Sequence, residues 1–445
     1  MSRRRADHAT TVATAVAGAF LAGDWDPVAM GRRAKRALGD RRHWPVELAR
    51  VVRRAYPDRP ADRPRELARL IAACDVFLDA LHDAERPLRV QVWMAAPTEM
   101  GPTRWPVPSI DDLAALAAWL GVTPGHLDWF ADRRSLERLG GDERLRHHHR
   151  RWVRKPNGSL RLLEAPKKEL KDLQRQVLHQ ILDRLPAHDA AHGFRPARSV
   201  RTGAARHHGQ AVVMRFDLES FFTSVGAGRV YGTFRLAGYP EPVAHALAGL
   251  CTTVTPADVV AGAPPVGGAL RDHRHRMLRH LRSPHLAQGA PTSPALANLS
   301  AFALDRRLAA LAETLGASYT RYADDLVLSG RRHLLRHSGT VLRLVESIAS
   351  TEGFRVNEAK TRVLTAGQRQ TVTGIVVNQR SNVARPDYDR LRAVLHDAAC
   401  AGPEQANRSG HPDFRSHLLG RIAWVGAENE ARAEKLRRAF SAIEW

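Results

Sequence analysis

The sequence predicts an α+β fold with helical ends around a strand-bearing centre, and three observations carry that prediction. Residues 319–330 place short apolar runs on both sides of Ala323-Asp324-Asp325, which reads as strand, tight turn, strand with the two acids at the tip. Residues 211–216, AVVMRF, form a strand by composition and deliver Asp217 at its end. Outside this centre leucines recur at helical spacing, as in 167–185 and 293–315.

A chain of 445 residues is long enough for two or three domains, and 44% apolar with 26% charged residues excludes a disordered polypeptide. Lys plus Arg exceeds Asp plus Glu by 68 to 46, giving +22 and an isoelectric point near 11.0. That field favours a polyanion as partner. Cys74, Cys251 and Cys400 lie far apart with no CxxC pair, which argues against a cysteine zinc site or a disulfide framework and suits a reducing cytoplasm. At the N-terminus, Thr10, Thr11 and Thr14 dilute an apolar run behind three arginines, so this stretch reads as the first helix of the fold. No later segment reaches the length of a membrane span, and no membrane partner is expected.

In chain order, 1–87 reads as helical pieces broken by Pro57, Pro60 and Pro64, and the prolines of 87–108 suggest a linker or irregular connection. Ser109 is expected to cap a helix that Gly121 closes, with Asp112 in the capping-box position, and 123–139 is expected to form its packing partner. A basic run from Arg144 to Lys155 contains Trp152 and suits phosphate binding, although such runs are commonly solvated faces. The histidines at 147–149 are consecutive and therefore do not share a face, which weakens a metal reading. Asn157-Gly158 between two apolar runs predicts a hairpin over 151–163, with Arg154, Lys155 and Arg161 near its tip. A helix over 167–185 follows. Ser293 is expected to cap a long helix that starts at Pro294.

An Asp-Asp turn alone is often merely solvated. Asp217 changes the reading, because a strand-end aspartate can lie beside the hairpin tip in an antiparallel sheet and bring three carboxylates together. Such a set suits a hard divalent cation such as Mg²⁺, which keeps further oxygen positions for phosphates.

The ordered series formed by the 151–163 hairpin, the Asp217 strand, QGAPTSP at 288–294, YADD at 322–325, NEAKT at 357–361 and VTGIVVN at 372–378 resembles the reverse transcriptases over roughly 300 residues. HGFRPARSV at 192–200 and Val372-Thr373-Gly374 are similar to bacterial retron-type enzymes in particular. Gly203 departs from the NAxxH element of that group by standing where it has Asn. The resemblance implies a right-hand polymerase: an N-terminal helical extension at 1–140, fingers and a palm with an antiparallel sheet at 141–380, and a helical thumb at 381–445. It implies RNA-directed DNA synthesis from dNTPs, with Asp217, Asp324 and Asp325 holding two Mg²⁺ ions and Lys360 neutralising or protonating the leaving pyrophosphate. By the same resemblance Arg154 and Arg161 contact the triphosphate, Phe222 is the gate that disfavours a ribose 2′-hydroxyl, Gln288 shapes the nucleotide pocket, and Tyr322 touches the primer-terminal pair. Phe222, beside Phe221, also reads as an ordinary core aromatic. The implied partners are a structured noncoding RNA, its RNA–DNA product and an effector protein, with a role in antiphage defence. Two other readings remain: a reverse transcriptase of another bacterial class, group II intron-like or an unclassified defence enzyme, and a non-catalytic RNA-binding scaffold.

Overall fold

In the computed structural model, which describes residues 3–83, 85–94, 97–132, 136–139 and 141–445 (backbone alone for 3–7 and 139), internal contacts gather the chain into two units. The first takes residues 1–185 and 225–296, the second 186–224 and 297–445.

In the first unit the helices Arg3–Leu21, Pro27–Leu38, Trp44–Ala55, Pro64–Ala73 and Asp75–His82 share one core built on Val16, Phe20, Met30, Leu48, Leu67, Ile71 and Phe77. The helical piece that begins at Pro64 is two helices, because Cys74 turns extended (ψ 131°) between them while Ile71 and Phe77 stay in the same core. The proline-rich stretch after it is an irregular connection pinned by hydrogen bonds: the Gly101 N–H donates to the Gly238 carbonyl (2.8 Å), and the Tyr239 hydroxyl to the Pro108 carbonyl (3.1 Å). The next helix starts later than Ser109 suggests. It runs Leu113–Leu120 with Asp112 as its cap, accepting from the Ala115 N–H, and Gly121 closes it at φ 72°. Its partner, Pro124–Ala131, stops at Asp132, and a 3₁₀ turn follows at Leu136–Leu139. Residues 133–135 of the expected second helix lie outside the described residues.

Strands β1 (His148–Arg154) and β2 (Leu160–Pro166) pair antiparallel around the Asn157-Gly158 turn. One hairpin face sends Leu160 and Leu162, with half-buried Trp152, against Val260, Met277, Leu278 and Leu281. The helix expected at 167–185 runs Lys168–Gln180 and ends in a 3₁₀ turn.

The second unit holds a four-stranded antiparallel sheet in the order β4-β5-β3-β6, where β3 is Val212–Asp217, β4 Ser318–Tyr322, β5 Asp325–Gly330 and β6 Arg362–Thr365. Its strands are apolar on both faces near the centre, as expected of a covered sheet: Val213, Phe216, Leu326, Val327 and Leu328 are all buried. Strands β7 (Thr371–Val372), β8 (Ile375–Val376) and β9 (Asn382–Val383) form a small separate sheet. The helices Arg385–Ala401, Phe414–Glu428 and Glu430–Ser441 close a further core on Leu391, Leu395, Leu418, Ile422, Val425 and Leu436.

The long helix expected from Ser293 is broken at Ala301 into Ser293–Ser300 and Phe302–Thr314. The Ser293 hydroxyl donates to the Ala287 carbonyl (2.7 Å), a bond to the preceding loop where a cap was expected. Among the described residues no helix is long and apolar enough to cross a membrane.

Candidate active site

The sheet brings the three aspartates to one end. Asp217 is the last residue of β3 and is register-paired with Asp325, the first of β5. Asp324 sits in the two-residue turn between β4 and β5, and its carbonyl accepts from the Leu218 N–H at 2.9 Å. Together with Arg215, Phe216 and Lys360 they line a cavity of about 310 Å³. Burial pushes the Asp325 carboxyl up to about 6, and the charges of Asp324 and Asp217 add to it against Arg215 and Lys360. The Lys360 ammonium lies 2.7 Å from Asp217 Oδ1. Asn357, three residues earlier, donates its backbone N–H to the Asp217 carbonyl at 2.7 Å.

The donor set fits hard divalent cations. It offers only carboxylate oxygens, and the upward shift of Asp325, set first by burial and then by the charges of Asp324 and Asp217, is one that a cation would relieve. Among the described residues no group of three or more His, Cys, Asp or Glu side chains stands ready to enclose an ion. An ion of the Mg²⁺ type needs no such enclosure, since one or two carboxylates suffice when phosphates complete the shell.

A buried ion pair holds the turn that carries two of these acids. Arg321, with no exposed surface, donates from Nε (2.8 Å) and Nη2 (2.6 Å) to the two carboxylate oxygens of Asp305, and from Nη1 to Asn298 Oδ1 (2.9 Å) and the Ala323 carbonyl (3.1 Å). The Tyr319 hydroxyl donates to the same Asp305 at 2.8 Å. Ala323 has φ 54°, a left-handed backbone for which alanine has little preference, so the Arg321 bond fixes a strained residue next to Asp324. Asn298 passes the restraint on by donating to the Gly193 carbonyl at 2.8 Å. A Cβ at Gly193 would come within 3.0 Å of the Ala323 nitrogen, so the loop of 192–200 approaches the turn through its glycine. Behind the hairpin His207 bridges Ser329 (2.6 Å) and Thr320 (2.7 Å), and burial, with His192 and Arg206 nearby, holds it neutral with a pKa lowered to about 3.

Phe221 and Phe222 differ in burial. Phe221 is buried and packs on Phe354, whereas Phe222 is half-buried and turns toward Phe194 at a ring distance of 6.2 Å. Phe194 is 48% exposed, has φ 58°, and lies 5.9 Å from the Tyr322 ring, so three aromatics group beside the acidic end of the sheet. Phe194, Asn357, Arg215 and the Arg321–Asp305 pair were not singled out by residue type. Two of them lie in motifs that the sequence does show, Phe194 in HGFRPARSV and Asn357 in NEAKT.

Arg154, Arg161 and Gln288 belong to the first unit. The hairpin register sets Arg154 opposite Leu160 and Arg161 opposite Val153, so the two arginines leave opposite faces near the tip. Arg154 donates to the Pro265 carbonyl at 3.0 Å, while Arg161 is exposed on the same face as Arg151. The Gln288 carbonyl accepts from the Glu164 N–H at 2.9 Å. Glu164 is buried, yet His285 and Arg150 outweigh burial and hold its carboxyl well below the usual carboxylate range.

Comparison with known proteins agrees with this geometry. Residues 153–383 match the family described as reverse transcriptase (RNA-dependent DNA polymerase). The chain is 38% identical over 399 residues to the retron Mx65 reverse transcriptase of Myxococcus xanthus, covering 88% of this chain and 83% of that one. It is 38% identical to the retron Mx162 reverse transcriptase of the same organism over 75% of this chain and 67% of that one, and 32% identical to the retron Ec86 reverse transcriptase of Escherichia coli over 65% and 78%. Reverse transcriptase domains use divalent metal ions, and the acidic end of the β4-β5-β3-β6 sheet lies within the matched segment. The chain belongs to the retron reverse transcriptases and is an RNA-directed DNA polymerase.

Proposed function

We propose that the protein copies part of a structured noncoding RNA into DNA with two Mg²⁺ ions held by Asp217, Asp324 and Asp325, and leaves an RNA–DNA hybrid. The observation that carries this reading is the shared cavity of the three aspartates and Lys360 at the end of the central strands. When bound, the ions supply activation of a primer 3′-hydroxyl and charge stabilisation for the leaving pyrophosphate. Lys360, exposed enough to turn from Asp217, neutralises or protonates that pyrophosphate. Phe222 is the gate against a ribose 2′-hydroxyl, a role supported by its half-exposed ring beside Phe194, and Tyr322 touches the primer-terminal pair. The hairpin that carries Arg154 and Arg161 binds the triphosphate, and Gln288 shapes the nucleotide pocket. Because the two arginines leave opposite hairpin faces, Arg161 makes the direct contact and Arg154 supports the tip through Pro265.

In this reading 1–140 is the N-terminal extension, 141–380 fingers and palm, and 381–445 the thumb. The protein works in the cytoplasm, uses dNTPs, and serves antiphage defence with an effector protein. Expression with the native flanking DNA tests the proposal. Wild type is expected to yield a short DNase-sensitive DNA joined to RNA, and Asp325→Ala none. A hybrid of equal yield from Asp325→Ala overturns the assignment of the aspartates.

A further inference from the structure

A second cavity, of about 450 Å³, lies among the C-terminal helices and the β7–β8 turn, all within the second unit. The Phe414–Glu428 helix lines it with Ser416, Gly420 and Trp424, four residues apart and therefore stacked on one face, with His417 and Arg421 alongside. The Arg385–Ala401 helix supplies Asp387 and Tyr388 from across the groove, and Gly374 of the β7–β8 turn contributes a third side.

Four features separate this groove from a packing defect. Trp424 leaves 43% of its surface exposed on a helix whose Leu418, Ile422 and Val425 already fill the core, so the indole is surplus to packing. A Cβ at Gly420 or Gly374 would meet nothing within 4 Å, so both glycines leave open space beside the indole. The Arg421 guanidinium makes no hydrogen bond or salt bridge among the described residues, in a chain where most half-buried arginines have one. At the neighbouring turn position Thr373 has φ 46° and a buried hydroxyl without a hydrogen-bond partner among the described residues.

An aromatic face with open space beside it, a free cation at its rim and a carboxylate opposite match one ligand chemistry. A base stacks on the indole, its phosphate meets the guanidinium, and its exocyclic amine donates to the carboxylate. An apolar partner helix would desolvate the Arg421 cation for no gain, and Asp387, 3.9 Å from Arg390 on its own helix, stays exposed enough to accept from a base. We propose that this groove holds one unpaired nucleotide of the structured RNA, stacked on Trp424, with its phosphate on Arg421 and its amine-bearing edge toward Asp387. This rests on the reading that the protein binds a structured RNA. It adds a single-nucleotide slot, distinct from the acidic cavity, through which the enzyme tells its own RNA from a regular duplex.

The test uses the full-length protein and the RNA transcribed from its native flanking DNA, with binding measured at fixed salt. Trp424→Ala is expected to weaken RNA binding about 5- to 100-fold, as loss of one base stack does, whereas Trp424→Phe stays near wild type. Gly420→Leu, which fills the slot and leaves the indole in place, is expected to lose affinity to a similar extent. Arg421→Gln should also lower the slope of log affinity against log salt by about one. The losses should fall on the Kd for RNA and spare the rate at saturating RNA, and thermal midpoints report whether each variant folds. Wild-type affinity in both Trp424→Ala and Gly420→Leu overturns the slot. Equal weakening on a plain RNA–DNA duplex also overturns it, in favour of a general duplex contact, as does loss of a co-purifying protein at unchanged RNA affinity, in favour of a protein docking site. Failure of wild type to bind the RNA would refute the underlying reading instead.

Discussion

At the scale of single residues, the acidic cavity holds a carboxyl that burial and its acidic neighbours disfavour as an ion. Asp325 carries its proton to about pH 6, whereas an ordinary aspartate loses it near 3.8. Its folded-state pKa lies above the unfolded value, so the favourable contribution of the protonated form is complete below about pH 4 and disappears as pH rises through 6. Above that range the ionised side chain destabilises the metal-free fold. Asp325→Asn, in the presence of a chelator, is therefore expected to be more stable than wild type at pH 8 by up to about 3 kcal/mol, a two-unit shift at about 1.4 kcal/mol per unit. The gain should shrink toward zero at pH 4, and urea unfolding at the two pH values measures it. No gain at pH 8 would mean that burial and the neighbouring aspartates do not raise this carboxyl. On the proposed function the same substitution is expected to abolish DNA synthesis, since it removes one of the three carboxylates offered to the metal ions.

At the scale of elements, the YADD hairpin depends on one buried pair. Removing one partner of a buried pair leaves the other charge uncompensated, so Arg321→Met is expected to cost about 3–5 kcal/mol. Adding Asp305→Leu should return most of that stability, because two apolar residues replace two buried charges. Activity should stay low in the double variant, since the Ala323 carbonyl still lacks its donor and the turn before Asp324 is free to relax. Thermal midpoints and primer extension on the three proteins measure the two properties separately; recovery of both would reduce Arg321 to a packing role.

Arg321 also marks what could be read in advance. Hairpins announced themselves, because Asn157-Gly158 and Ala323-Asp324 must turn tightly between apolar runs, and the strand ending in Asp217 was plain from composition. An arginine between Thr320 and Tyr322 looks like a surface charge, and only the tertiary fold supplies Asp305 and Asn298 to bury it. The break at Ala301 was hidden for a related reason, since Ala is a strong helix former and nothing local stops it. That Asp217 can lie beside the Asp-Asp turn follows from its place at a strand end, whereas its register with Asp325 and the approach of Phe194 come from tertiary geometry that residue type does not reveal.

At the scale of the molecule, a charge of +22 sits on a chain whose product and template are both polyanions. RNA binding should release counterions, so log affinity is expected to fall linearly with log salt. Contact with six or more phosphates would weaken it by about 10³-fold between 50 and 200 mM salt. Filter binding across that range checks this, and a loss of less than about tenfold would show that most of the charge serves only solubility.

The order of strands in the central sheet bears on how the chain is made. β3 lies between β5 and β6, yet the ribosome delivers it first, and β6 is complete only at Thr365, 148 residues after Asp217. At about 5–20 residues per second, the apolar segment Val212–Phe216 waits roughly 6–23 s for β5, which ends at Gly330, and roughly 7–30 s before β6 can cover its second edge. During that interval it is a template for any other strand. Within this sheet the strand that ends in Asp217 therefore waits longest for its partners, and its open edges are the sheet's point of risk during synthesis.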